Sequence, residues 1–125
     1  MSRDDAYGSI ARFYDFFVGA PLRGVRRSIT TFMPEKGPVI DIGCGTGEQS
    51  ALLANDERHV VGIDVSPAML SVAEKRDIPN TTFILGDGGK TGFPGAHFAT
   101  AVLSFVLHEC DPDMRAALIS EAKRL

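Results

Sequence analysis

The chain has 125 residues, with 16 acidic against 13 basic side chains, a formal net charge of −3, 44% hydrophobic residues and two cysteines. That is the length and mixed composition of about one globular domain. It offers no apolar run approaching a membrane span, no secretory leader, and none of the clustered basic excess that a nucleic-acid surface would need.

In chain order, residues 10–33 predict a helical arm, interrupted near Pro21 and stopped by Pro34. Leu22, Val25, Ile29 and Phe32 recur at helical spacing, which sets Arg23, Arg26 and Arg27 on a solvated face. The next stretch is the most informative. In Val39-Ile40-Asp41-Ile42-Gly43-Cys44-Gly45-Thr46-Gly47-Glu48, a buried strand over 39–42 runs into three alternate glycines and then a helix over 48–53. Glycine reaches turn conformations closed to other residues, and its missing side chain leaves room for a small polar ligand. A side chain at Gly45 would fill that room.

The spacing is not that of a dinucleotide fingerprint, which wants Gly-x-Gly-x-x-Gly. Here the third glycine, Gly47, comes one residue early, and Glu48 takes the last glycine's place. A carboxylate at the head of that helix would repel a pyrophosphate, so a nucleoside without phosphates fits better.

His59-Val60-Val61-Gly62-Ile63-Asp64 predicts a second short strand ending in a carboxylate. Asp64 follows the glycine turn at about the separation of a ribose-binding acid. Ser66 and Pro67 then open a helix over 67–76 as N-cap and first helical residue. A third strand over 81–85 leads into Gly86-Asp87-Gly88-Gly89 and a glycine-rich loop to residue 97. Ligands of open α/β sheets bind beyond the carboxyl ends of the strands, which would bring Asp41, Asp64 and Asp87 near one crevice. An exposed Asp-Gly turn accounts for Asp87 equally well. Residues 98–104 predict a fourth strand, with a near-continuous apolar run over 101–107, and residues 113–125 form a last helix. This alternation requires a parallel sheet with right-handed crossovers. Cys44 and Cys110 lack metal-ligand spacing and basic neighbours, so a reduced, cytoplasmic protein is expected, with no metal and no reactive thiolate.

On these residues the chain resembles the class I S-adenosylmethionine-dependent methyltransferases, and within them the small-molecule branch that includes quinone-biosynthesis enzymes. The matching pieces are residues 39–47, 61–70, 83–87 and Leu103-Ser104-Phe105-Val106-Leu107-His108-Glu109. Phe98-Ala99 departs from the Phe-Asp common in relatives. The resemblance implies a Rossmann-like α/β fold with strand order 3-2-1-4 and S-adenosylmethionine as cofactor. It implies that Gly43, Gly45 and Gly47 approach the methionine and ribose. Asp64 would take the ribose hydroxyls, Val65 and Met69 would pack on the adenine, and Asp87 would lie near its amino group. Asp41 would support the turn and the amino-acid end of the cofactor. Tyr7 and Tyr14 resemble an aromatic segment that closes over the cofactor, although Tyr14 among Phe13, Phe16 and Phe17 also reads as an amphipathic-helix residue. His108 beside Glu109 is the candidate base, or else a packing or capping residue before the last helix.

The expected organisation is one incomplete domain over 1–125, with a helical arm at 1–36 and a cofactor-binding part at 37–125. The family's sheet has seven strands, and four are expected here. The fourth strand then becomes an exposed edge, open to a second copy or a partner. Three functions follow: methyl transfer to a small-molecule acceptor, or the cofactor-binding portion of such an enzyme; a non-catalytic cofactor-binding module completed by a partner; and an NAD-dependent oxidoreductase, which Glu48 and the glycine spacing disfavour.

Overall fold

The computed structural model describes residues 20–31, 33–103 and 110–125. Tyr7, Tyr14, His108 and Glu109 lie outside the described residues. The elements in order are α1 (Ala20–Thr31), β1 (Val39–Ile42), α2 (Glu48–Leu53), β2 (Val60–Asp64), α3 (Pro67–Lys75), β3 (Thr81–Leu85), β4 (Thr100–Val102) and α4 (Pro112–Arg124). The strands form one sheet in the order β3-β2-β1-β4, every pairing parallel, as the alternation and the resemblance required.

β1 is buried along its whole length, and its side chains divide by the strand period of two. Val39 joins Val60, Val102 and Leu53 in one cluster, against which Ile29 of α1 and Met33 pack. Ile40 and Ile42 join Ile63, Leu118 and Leu125 in the other, on the α4 side. A strand covered on both faces needs apolar residues at successive positions, which is why it reads Val-Ile-Asp-Ile. The exception, Asp41, is only 1% exposed and accepts a 2.7 Å hydrogen bond from the Ser50 hydroxyl of α2.

Capping sets the helix starts. Ser66 Oγ accepts from the Met69 amide at 3.2 Å, with Pro67 opening α3. Asp111 does the same for α4, accepting from the Met114 amide at 2.8 Å ahead of Pro112. α4 therefore begins a residue before its expected start, and α3 stops at Lys75 with Arg76 as its C-cap.

β4 starts later than the strand expected from residue 98. β1 offers it three partners, pairing Val39, Ile40 and Asp41 with Thr100, Ala101 and Val102. Before that register begins, the Ala99 amide donates to Pro38 O at 2.8 Å and the Phe98 amide turns away to Leu125 O at 3.3 Å. There Phe98 packs against the core without joining the sheet. Among the described residues no helix is long and apolar enough to cross a membrane, and no group of three or more side chains could hold a metal ion.

Candidate functional site

The turn between β1 and α2 rests on three left-handed residues, Gly43 at φ 72°, Gly45 at φ 55° and Gly47 at φ 81°. Side-chain-bearing residues reach that region at a cost of about 1–2 kcal/mol each. The glycines differ in what surrounds them. A Cβ on Gly45 would meet nothing within 4 Å, so this position faces open space. A Cβ on Gly47 would stand 3.0 Å from both Ala73 Cβ and the Phe83 ring, so its bareness lets α2 close against α3 and β3. Gly45 borders open space, whereas Gly47 serves packing.

The turn is tied to the elements that follow it. The Gly43 and Cys44 amides both donate to Ile63 O, at 2.8 and 3.1 Å. Asp64 bridges turn and helix: one carboxylate oxygen accepts from the Gly45 amide and the other from the Ser66 amide, each at 2.9 Å. An ionised carboxylate has about four acceptor positions, so capacity remains for ligand hydroxyls. Arg76 reaches back from the other end of α3 and donates through Nε to Thr46 O at 2.6 Å. The Cys44 thiol is buried in the same turn. Burial pushes its pKa far up, the Asp41 and Asp64 charges push it further, and it stays a neutral packing group.

An apolar rim flanks Asp64. Asp64 is in register with Leu85, the last residue of β3. Leu85 is 58% exposed, and Val65, which follows Asp64, is 41% exposed. Sequence reasoning missed Leu85. The available signal was its place at the end of β3, opposite the carboxylate. Met69, by contrast, is 5% exposed and lies within α3's buried face.

The family described as "Methyltransferase domain" matches residues 39–125, from the first residue of β1 through α4. The chain belongs to this methyltransferase family. A trans-aconitate 2-methyltransferase of Deinococcus radiodurans is 43% identical over 65 residues, covering 49% of this chain and 25% of the relative. An 18S rRNA (guanine-N(7))-methyltransferase of Bos taurus is 40% identical over 98 residues, 74% of this chain and 34% of that one. The crystal structure of the PH0226 protein of Pyrococcus horikoshii OT3 superposes with a TM-score of 0.75 at 27% identity, covering 84% of this chain and 51% of the other. The chain thus spans a quarter to a third of these curated relatives.

A second loop leaves the carboxyl edge of the sheet after β3. Asp87 is exposed, and its carboxylate accepts from the Gly89 amide at 2.8 Å, the Asp-Gly turn expected as one of its two readings. Gly88 presses into the core, where a Cβ would come within 2.5 Å of Ile42 and 3.1 Å of Leu118. Glu121 of α4 secures the loop further on, accepting from the Thr91 amide at 2.8 Å and the Thr91 hydroxyl at 2.6 Å. Arg124 donates to Glu121 at 2.6 and 2.9 Å and to Phe93 O at 2.6 Å. The Arg124 guanidinium first, then the Thr91 hydroxyl, holds the Glu121 pKa down to about 2.

The structure thus gathers Gly43, Gly45, Asp64, Val65 and Leu85 at the carboxyl ends of β1, β2 and β3. It turns Asp41, Gly47 and Met69 toward the interior.

Proposed function

We propose that this chain is the cofactor-binding part of a cytoplasmic enzyme that transfers a methyl group from S-adenosylmethionine to a small-molecule acceptor. The observation that carries the reading is the open space at Gly45 beside the Asp64 carboxylate, flanked by exposed Val65 and Leu85. Those features suit a nucleoside: bare backbone for close approach, an acid for two hydroxyls, and apolar surface for a flat base. Glu48 in the first turn of α2 argues against a pyrophosphate at the same place.

When bound, S-adenosylmethionine supplies a methyl group activated by the adjacent sulfonium. The chain's part is to bind, orient and keep out water. Gly43 and Gly45 let the methionine and ribose come close, with Gly47 closing the turn behind them. Asp64 uses its remaining acceptor positions for the ribose hydroxyls. Val65 and Leu85 provide the apolar wall for the adenine, Met69 backs that wall, and Asp87 accepts from the adenine amino group. Asp41 ties β1 to α2 and so steadies the turn. His108 is proposed as the proton acceptor where the methyl acceptor carries a proton, and Tyr14 as part of a cover over the cofactor. In this organisation residues 1–36 form the arm and 37–125 the cofactor-binding part.

A small-molecule acceptor accords with the net charge of −3. The similarity to an rRNA methyltransferase supports a second reading, an RNA base as acceptor. Calorimetric titration with S-adenosylhomocysteine, with NAD as control, tests the cofactor. Saturable binding of the first alone is expected. Binding of NAD alone, or of neither by a folded sample, would overturn the reading. Methyl transfer to RNA, lost at high salt, would favour the second acceptor class.

A further inference from the structure

Both ends of the α3 segment reach back to the glycine turn, and they do so with opposite polarity on consecutive residues. Ahead of the helix, the Asp64 carboxylate takes the Gly45 amide at 2.9 Å, across 19 residues of sequence. At the helix C-cap, the Arg76 guanidinium donates to the Thr46 carbonyl at 2.6 Å, across 30 residues. Thr46 is itself buried, between two glycines in the left-handed region.

A turn built on Gly43, Gly45 and Gly47 has more conformational freedom to lose than a turn of the same length made of side-chain-bearing residues. If that freedom survived folding, it would be lost on binding instead and would subtract from affinity. Asp64 does not hold the whole turn: its carboxylate fixes the Gly45 and Ser66 amides, whereas the Thr46 carbonyl needs a donor, which an ionised carboxylate lacks. Arg76 supplies such a donor, and no part of the proposed reading assigns the Thr46 carbonyl it holds to the ligand.

We propose that Arg76 is a positioning residue, fixing the Thr46 carbonyl so that the glycine turn is preset for the cofactor while Asp64 is left to serve the ribose. The proposal rests on the S-adenosylmethionine reading. It goes beyond that reading by giving a role to a residue at the far end of α3.

The test compares the unsubstituted chain with Arg76→Met and Arg76→Lys by calorimetric titration with S-adenosylhomocysteine and by amide hydrogen exchange without ligand. Arg76→Met is expected to weaken binding by about 5–10-fold, the scale of one lost hydrogen bond of ordinary strength. The loss should fall in the entropy of binding, and exchange should accelerate at residues 43–47 while the rest of the sheet keeps its protection. Arg76→Lys, which retains a charged donor, should recover part of the affinity. Wild-type affinity in Arg76→Met would overturn the proposal. So would a loss accompanied by faster exchange throughout the sheet, the mark of a merely structural residue. Failure of the unsubstituted chain to bind would overturn the cofactor reading itself. The exchange data would then still judge whether Arg76 holds the turn, and unchanged rates at 43–47 would reject that hold.

Discussion

The loop after β1 and the loop after β3 both leave the carboxyl rim of the sheet, yet they are held by different means. The first is five residues of glycine turn, preset by positive φ and pinned by main-chain bonds to Ile63 and by Asp64 and Arg76. The second runs from residue 86 to 99 without a helix, and its outer part is gripped from α4. Glu121 takes Thr91, Arg124 takes Phe93, and the Ala96 amide donates to Arg124 O at 3.0 Å. Phe93, His97 and Phe98 stack and pack edge-on beneath that grip. A loop at this rim can thus be made stiff by its own backbone or by a remote polar clasp. The clasp carries a carboxylate, Glu121, whose pKa the fold lowers.

The largest effect should separate two glycines of the first loop. Gly47→Val combines left-handed strain with a clash against Ala73 and Phe83, and should lower unfolding free energy by about 3 kcal/mol in urea titrations. Gly45→Val carries the same strain without the clash. It should cost about 1–2 kcal/mol of stability but abolish S-adenosylhomocysteine binding. Equal stability losses, or retained binding in Gly45→Val, would dissolve the distinction between packing and ligand-facing glycines.

Next is Asp64→Ala, which strips the Gly45 and Ser66 amides of their acceptor and removes the proposed ribose partner. Affinity for S-adenosylhomocysteine should fall by about 1–3 kcal/mol. Unchanged affinity in a folded variant would take Asp64 out of the ribose role.

The clasp should show itself through pH. Glu121 has its pKa lowered from an ordinary 4.5 to about 2, so the folded protein binds a proton there less readily than the unfolded chain. Its contribution is therefore fully present above pH 4.5 and is lost as pH falls through about 2. Glu121→Gln should cost about 1 kcal/mol at pH 7, a modest figure because Arg124 is 44% exposed and water screens the pair. The difference from the unsubstituted chain should close as pH falls through that window. A constant difference would assign the clasp to hydrogen-bond geometry rather than charge.

The smallest effect concerns the two thiols. Cys44, buried in the first loop with its pKa raised by burial, should resist alkylation at pH 8 until the protein unfolds. Half-buried Cys110 should react sooner. Prompt alkylation of Cys44 in the folded chain would mean that the first loop opens more readily than its pins suggest.

What the amino-acid sequence determined by itself is the part governed by nearest neighbours. The period of two in Val39–Ile42, the Ser66-Pro67 start and the glycine turn each depend on local backbone preference or on burial repeated along one element. The strand order followed from the alternation of strand and helix together with the family resemblance. Tertiary structure alone decided which face each residue met. Gly47 proved to pack where Gly45 stands open, and Met69 lies inside where Leu85 lies out. β4 began pairing only at Thr100, because the Phe98 amide turns to Leu125 O instead. Arg76 reaching Thr46 and Glu121 reaching Thr91 each span 30 residues. Such contacts depend on how separate elements are brought together, and no local preference in either partner records the other's arrival.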